Sequence, residues 1–412
     1  MFIKLLITVL LLSVSNYVSA KVKKTDVSKV KKKVAAKPKA KSKKAEKPKD
    51  EQKNILQPYG IEVNSTHALL VDYNTGQVLL AKNADEPLEP ASMTKIMTAY
   101  MIMKALNSGH IKPESLVTIS RNARQMEGSD MYLEVGDQVT VSDLIKGLIV
   151  ASGNDAAIAL AEFVSGSEEA FAVDMTKCAK EMGCAQTEFK NASGLPHEGH
   201  QSTAKDLFIM SKRTFEDFPK WYGFYKETIF TYRGITQPNR NVLLNDKSGC
   251  DGIKTGHTEK SGYGIVVSAV QKGRRLFLVV SGLRSMEQRA SEARRLLQWG
   301  FNNFGNYTIF PANKPIIEIP VRYGVVSKVA VEPELHLLNI QRSHLEQTKA
   351  VIYYEDILVA PIKAGTKVGE VVVTHPDWSE KVVIPLRASN DVERSSFLLR
   401  IGQSLQYLFQ KG

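Results

Sequence analysis

Residues 90–106 read PASMTKIMTAYMIMKAL. From Ile96 to Leu106 only Thr98 and Lys104 interrupt a run of apolar side chains, which predicts a buried helix opened by Ser92. Upstream, HALLVDY (67–73), NTG (74–76) and QVLLAK (77–82) alternate, turn and alternate again, the pattern of a β-hairpin. Downstream, LIKGLIVAS (144–152) and DAAIALAEFV (155–164) predict two buried helices broken at Ser152-Gly153-Asn154, and EEAFAVDMTKCAKEM (168–182) predicts another. GIKTGHT (252–258), YGIVVSAV (263–270) and RLFLVVSGL (275–283) read as short strands of an antiparallel sheet. MEQRASEARRLLQWGFNNF (286–304) closes the unit as a helix. The order is strands, helices, strands, helix. It predicts an α+β domain over residues 54–312, with helices covering an antiparallel sheet.

The character changes near residue 313. IIEIPVRYG (316–324), SKVAVEP (327–333), AVIYYE (350–355), VGEVVVTH (368–375) and EKVVIPLRAS (380–389) are short strands with Gly, Pro and Asn punctuation. They predict a small all-β sandwich over 313–391. In residues 392–412, Phe397, Leu398, Ile401, Leu405, Leu408 and Phe409 fall at helical spacing on one face. This C-terminal amphipathic helix either packs on the sandwich or lies in a membrane interface, and its position after a complete domain favours the membrane.

The chain has 412 residues, 43% hydrophobic and 24% charged, which excludes a collagen-like, wholly disordered or polytopic membrane protein. Its net charge of +12 first suggests nucleic acid. However, residues 21–53 hold 15 Lys against Asp26, Glu46, Asp50 and Glu51, and Lys4 supplies the remaining unit of charge. The folded part is neutral, so the basicity belongs to a flexible, self-repelling tether and a nucleic-acid partner is not expected. The tether reads first as a solvated linker, with contact to anionic polymer or lipid head groups as the alternative. Before it, MFIK, the apolar run LLITVLLLSV and Val18-Ser19-Ala20 read as a signal peptide over 1–20. An uncleaved anchor is the alternative, disfavoured by the short apolar run. The expectation is an exported, periplasmic or extracytoplasmic protein. Three cysteines, Cys178, Cys184 and Cys250, make no disulfide framework and read as small buried residues.

Three short motifs carry chemistry. In Ser92-Met93-Thr94-Lys95 the spacing of three puts a hydroxyl and an amine on one helix face, one turn apart. A hydroxyl becomes a nucleophile only beside a base, and a lysine serves as one only when its pKa is depressed by burial or a second cation. Ser152-Gly153-Asn154 offers a hydroxyl to relay a proton and an amide to hold Lys95 or a substrate carbonyl. Lys254-Thr255-Gly256, on a predicted strand, supplies the second cation, and Gly256 leaves room for a substrate backbone. Each motif alone is weak: the plain reading of the first is an N-cap serine and a surface lysine. Together, in this order and 60 and 102 residues apart, each in its fitting context, they point to one site.

With SMTK, SGN and KTGHT in place, the sequence resembles the penicillin-recognising serine acyl transferases. PASMTKIMTAY, IVASGNDAAIALAE, HQSTAKDL, DGIKTGHTEKSGY and the closing EARRLLQWGF resemble the low-molecular-mass D-alanyl-D-alanine carboxypeptidases of the penicillin-binding protein 5 type. The resemblance covers residues 60–410; only the Lys-rich stretch departs from it. It implies Ser92 as nucleophile, Lys95 as general base, and Ser152 and Asn154 as the proton network. It implies Lys254, Thr255 and Gly256 as the strand that receives the substrate carboxylate. His257 would lend its backbone N–H, with that of Ser92, to an oxyanion hole. Arg289, and more weakly Arg240, would bind the carboxylate, where a surface position is the plain alternative. The implied reaction removes the terminal D-Ala from peptidoglycan pentapeptide stems, with β-lactam antibiotics as covalent ligands and the outer face of the cytoplasmic membrane as a further partner. No cofactor or metal is implied, and the scattered histidines form no H-E-x-x-H.

Three other readings compete. A serine β-lactamase needs a carboxylate to activate water, and the nearby Glu188-Phe189-Lys190-Asn191 has the wrong spacing. A D,D-endopeptidase would use the same residues. A non-catalytic cell-wall-binding protein would not need a complete set of motifs.

Overall fold

The computed structural model describes residues 2–9, 20–24, 61–311, 314–376 and 381–402. The chain divides into two units, Leu56–Asn302 and a second made of Asn303–Gly412 with Met1–Ile55.

The first unit is built on a five-stranded antiparallel sheet. Its strands are β1 (His67–Asp72), β2 (Val78–Lys82), β3 (Cys250–Thr258), β4 (Gly262–Gln271) and β5 (Arg274–Leu283), in the order β2-β1-β5-β4-β3. The lysine-bearing β3 is therefore an edge strand. On one face, Leu69, Val71, Phe277 and Val279 join a core with helices α1 (Lys95–Asn107), α2 (Asn154–Ser165), α3 (Glu168–Glu181) and α4 (Ala204–Asp217). Alternation sends Leu70 and Leu276 to the other face. There α5 (Met286–Asn303) comes so close that a β-carbon on Gly300 would sit 2.8 Å from Leu70 and 2.9 Å from Leu276. Arg274 and Asp72, 2.6 Å apart and both mostly buried, tie β5 to the end of β1.

The helix starts follow side-chain capping. Ser167 accepts from the N–H of Ala170 at α3, and Thr203 from that of Asp206 at α4. Ser92 departs from expectation. Ala91–Thr94 is a 3-10 turn that feeds α1 from Lys95, and it carries no side-chain cap.

The second unit begins ten residues before the expected boundary at 313. Strand β6 (Phe304–Thr308) pairs with β9 (Leu337–Gln341) and so belongs to it. Strands β7 (Ile317–Arg322), β8 (Lys328–Pro333), β10 (Lys349–Glu355), β11 (Lys367–Thr374) and β12 (Val382–Ala388) form a sheet in the order β7-β8-β12-β11-β10. Leu338 and Ile340 of the β6–β9 ribbon share one apolar core with Val331, Ile352, Val371 and Leu386 of that sheet. Leu358–Val359 extends the β7 edge, and Phe2–Val9 followed by Ala20–Lys24 extends the β10 edge. Lys21–Lys24 thus lies in a strand rather than in the expected tether; residues 25–60 fall outside the described set. At the other terminus, residues 397–402 are helical, and the rest of the expected amphipathic helix lies outside the described residues. Among the described residues no helix is long and apolar enough to cross a membrane.

Candidate active site

The site is assembled where the turn before α1, the break before α2 and the edge strand β3 meet. The turn is tightly held. Ala91 takes φ +48°, a region costly for a residue with a β-carbon. Gly256 on β3 passes so close that a β-carbon would lie 2.8 Å from the Pro90 carbonyl oxygen. Gly194 presses from another side: its β-carbon would fall 1.9 Å from the Ala91 carbonyl oxygen, and its φ is +84°. Gly256 therefore admits the serine turn, where the sequence suggested room for substrate.

Lys95 is 1% exposed. Its Nζ lies 3.1 Å from Ser92 Oγ, 2.7 Å from Asn154 Oδ1 and 2.6 Å from the Ser193 carbonyl oxygen. The Asn154 amide is oriented because its Nδ2 donates to the Glu127 carbonyl at 2.6 Å, which turns Oδ1 toward the lysine. Oδ1 and the Ser193 carbonyl can only accept. Once the lysine is neutral, its two remaining N–H groups are committed to them, and its lone pair faces the Ser92 hydroxyl. Burial first, then the Arg240 charge, lowers the Lys95 pKa to about 7, against an upward pull from Asp155 and Glu168. An amine so placed can take a proton from the hydroxyl beside it. The surface-lysine alternative is excluded by this burial.

Ser152 occupies the left-handed region (φ 61°, ψ 29°), so the chain turns sharply between the Gly147–Ala151 π-helical turn and α2. Its Oγ accepts from Lys254 Nζ at 2.9 Å. Lys254 is fully buried, and its pKa is pushed well down, first by desolvation and then by Lys95, Arg240 and Arg289. The repulsion between the two lysines falls on Lys254; Lys95 is lowered by burial first and then by Arg240, not by Lys254 as the sequence suggested. Thr255 is buried next to Lys254, and its carbonyl accepts from Lys254 Nζ at 3.2 Å.

The remaining expected residues gather on the β3–β4 side. The His257 ring stacks on Tyr263 at 3.9 Å between centroids. Arg289, 6% exposed, is no surface arginine: it lies over the Tyr263 ring and donates from Nη2 to the Arg240 carbonyl at 3.2 Å. Arg240 is exposed and donates to Ser129 Oγ at 2.6 Å. His257 and Tyr263 also line a cavity of about 840 Å³ with Glu89, His200 and Lys260; Ser92, Lys95 and Lys254 do not line it, so the reacting groups lie beside it. Among the described residues no group of His, Cys, Asp or Glu is arranged to hold a metal.

Several contributors were not foreseen. The carbonyls of Ser193 and Glu127 are backbone groups with no residue signature. Asp155 follows Asn154 and accepts from the N–H groups of Met131, Leu133 and Ala156, fixing the loop that carries Glu127. His200 is buried under the turn, with Nε2 2.8 Å from Thr94 Oγ1 and Nδ1 accepting from the Lys190 N–H. That acceptor role leaves the proton on Nε2, and burial drives the His200 pKa down to about 4.

A hydroxyl, a buried amine of low basicity and a second lysine on an edge strand are the groups that serine acyl transfer requires, gathered here on an α+β scaffold. The family model described as D-alanyl-D-alanine carboxypeptidase matches residues 50–285, and that of the penicillin-binding protein 5 C-terminal domain matches residues 304–394. The chain belongs to the D-alanyl-D-alanine carboxypeptidase family. It is 41% identical over 312 residues to the D-alanyl-D-alanine carboxypeptidase DacC of Escherichia coli, covering 74% of this chain and 78% of that one. With DacF of Bacillus subtilis it shares 36% over 338 residues, 80% of this chain and 86% of the relative. Penicillin-binding protein 5 of Haemophilus influenzae superposes with a TM-score of 0.76 at 36% identity, over 82% of this chain and 100% of that structure.

Proposed function

We propose that this chain is a serine-type D-Ala-D-Ala carboxypeptidase in which Ser92 is the nucleophile and Lys95 its general base. The observation that carries the assignment is the commitment of the Lys95 N–H groups to Asn154 Oδ1 and the Ser193 carbonyl, which leaves the lone pair for Ser92. Ser92 Oγ attacks the penultimate D-Ala carbonyl of a stem pentapeptide while Lys95 takes its proton. The backbone N–H groups of Ser92 and His257 hold the oxyanion. Lys254, Thr255, Arg289 and Arg240 receive the terminal carboxylate. A proton returned through Lys95 and Ser152 lets D-Ala leave as the amine, and water then releases the tetrapeptide from the acyl-enzyme. A β-lactam enters the same route and stops at the acyl-enzyme. A Listeria monocytogenes penicillin-binding protein in its ampicillin-bound form is a structural relative at 27% identity and TM-score 0.54.

Intact mass after exposure to benzylpenicillin tests the reading, together with D-Ala release from a pentapeptide. The wild type gains one penicilloyl group on the Ser92 peptide. Ser92→Ala gains none and releases no D-Ala while its circular dichroism is unchanged. A labelled Ser92→Ala protein overturns the assignment of the nucleophile.

For location, the reading is export by the N-terminal leader, removed after Ala20, and attachment to the outer face of the cytoplasmic membrane by the C-terminal helix. Phe397, Leu398 and Leu399, 67%, 79% and 62% exposed, support this. Side chains of that kind left in water favour insertion into an interface. Deleting residues 393–412 releases active enzyme into the soluble fraction; sedimentation of the truncated, processed protein with membranes in high salt removes the helix as anchor.

A further inference from the structure

The segment 191–194 reaches Lys95 from outside the three motifs, so what holds it bears on the reaction. Its Ser193 carbonyl is the closest of the three Lys95 partners. The Ala192 carbonyl accepts from Thr98 Oγ1 at 2.6 Å, one turn along α1 from Lys95. The Gly194 N–H donates to Asn191 Oδ1 at 2.7 Å. The Ala192 N–H is held from a distant element: it donates to Glu168 Oε1 at 2.9 Å. Glu168 stands in the first turn of α3, after the capping Ser167, and is half-buried.

We propose that Glu168 is a positioning residue for acyl transfer: its carboxylate anchors the Ala192 N–H, holds the Ser193 carbonyl on Lys95, and places a negative charge near that lysine. The proposal rests on the reading of Ser92 as nucleophile and Lys95 as base, and adds a carboxylate that no motif contains. Charge and geometry act through the same side chain. Burial pushes the Glu168 pKa up, and the Lys95 charge pulls it back, so the two groups sense one another. Glu168 is also faced by Glu162 of α2 and by its neighbour Glu169. Around Lys95 the charged groups are Arg240, Asp155 and Glu168, and Lys254 faces it from β3. Glu168 and Asp155 are the anions of that set. Each also steadies one of the two acceptors of Lys95: Glu168 holds the Ser193 carbonyl through Ala192, and Asp155 holds the loop whose Glu127 carbonyl orients the Asn154 amide.

The two roles separate in two variants. Glu168→Gln keeps an oxygen for the Ala192 N–H but removes the charge. Lys95 then loses its proton more readily, so the acidic limb of the acylation rate against pH moves to lower pH, by about half a unit or more. Glu168→Ala removes the oxygen as well, and the plateau rate falls about tenfold below that of Glu168→Gln because the Ser193 carbonyl is no longer fixed. The experiment measures second-order acylation by a chromogenic cephalosporin from pH 5 to 9 in the full chain and both variants, with thermal melting on each. A limb shifted downward in Glu168→Gln, with a plateau loss in Glu168→Ala, supports the proposal. A wild type that acylates while Glu168→Gln keeps the wild-type limb, or a Glu168→Ala variant that loses melting temperature alone, overturns it and leaves the Ser92 reading standing. A wild type that does not acylate overturns the Ser92 reading and this proposal with it.

Discussion

The two units bury different things. The catalytic unit hides Lys95, Lys254, Asp155, Arg289 and Glu292, each 6% exposed or less. The all-β unit packs Val, Ile and Leu, and among its described residues the buried polar groups are Asn339, Thr348, His375 and Ser395, with no Asp, Glu, Lys or Arg. Removing an ammonium from water is unfavourable by several kcal/mol, and the usual response is loss of its proton. In the proposed mechanism that response is the chemistry, because a lysine driven to a pKa of about 7 can act as a base near neutral pH. The all-β unit has no such cost to carry. Buried charge marks the working part of the molecule, and apolar packing the supporting part.

The strongest test of this contrast is Lys95→Arg. It keeps the charge and much of the volume, but a guanidinium stays protonated in a protein. Acylation falls by about a thousandfold or more, measured as penicilloyl gain by mass; near-wild-type acylation reduces Lys95 to a structural cation. Next is Leu386→Ala in the all-β core, where the side chain is fully buried. It costs about 2–5 kcal/mol of stability, measured by denaturant unfolding, while kcat/KM per folded molecule and its pH limb stay at the wild-type values. A moved limb breaks the separation between the units. Third is acid. His200 has a folded pKa near 4 against an ordinary 6.5. Its contribution is therefore complete above pH 6.5 and is lost as pH falls from 6.5 to 4, because the unfolded chain binds the proton first. The loss is up to about 3 kcal/mol, read by calorimetry at stepped pH, and His200→Gln removes most of it. The smallest effect is that of Lys254→Gln on Lys95. Loss of a neighbouring cation raises the Lys95 pKa and moves the acidic limb to higher pH. The shift is about one unit or less, because burial is the larger cause. A shift of several units makes charge, not burial, the main control.

Much of this site was legible as residue types at fixed intervals. Ser92, Lys95, Ser152, Asn154 and Lys254 are side chains whose chemistry is written in their names, and hydrogen bonds of 3.1 Å or less tie them into two sets, Ser92–Lys95–Asn154 and Ser152–Lys254. What escaped was backbone. The Ser193 and Glu127 carbonyls decide where the Lys95 lone pair points, yet any residue at those positions offers a carbonyl. Glu168 escaped for a related reason: its partner is a peptide N–H 24 positions away, which no spacing rule reaches. Helix α4 was different, since Thr203 followed by Asp206 is a legible helix start that went unread. The hairpin, the broken helices and the two strands that follow Lys254 were legible because they are rich in apolar residues; the strand around Lys254 itself, CDGIKTGHT, carries only Cys250 and Ile253 and was read from its motif and its neighbours. The boundary at 302 was not, because β6 (FGNYT) has little alternation and is defined by pairing with β9.

The turn that presents Ser92 is pinched between two residues that have no β-carbon, Gly194 and Gly256, each pressed on a backbone carbonyl of the turn. This limits how the protein can change over generations under an antibiotic. A lineage that escapes a β-lactam by widening the spacing between turn and edge strand must move main chain on both sides at once, since one added methyl at either position collides with a peptide carbonyl rather than with a side chain able to rotate away. Single substitutions that survive selection are therefore expected at the rim, at positions such as Arg240 and His257, where side chains face solvent, and not at the two glycines.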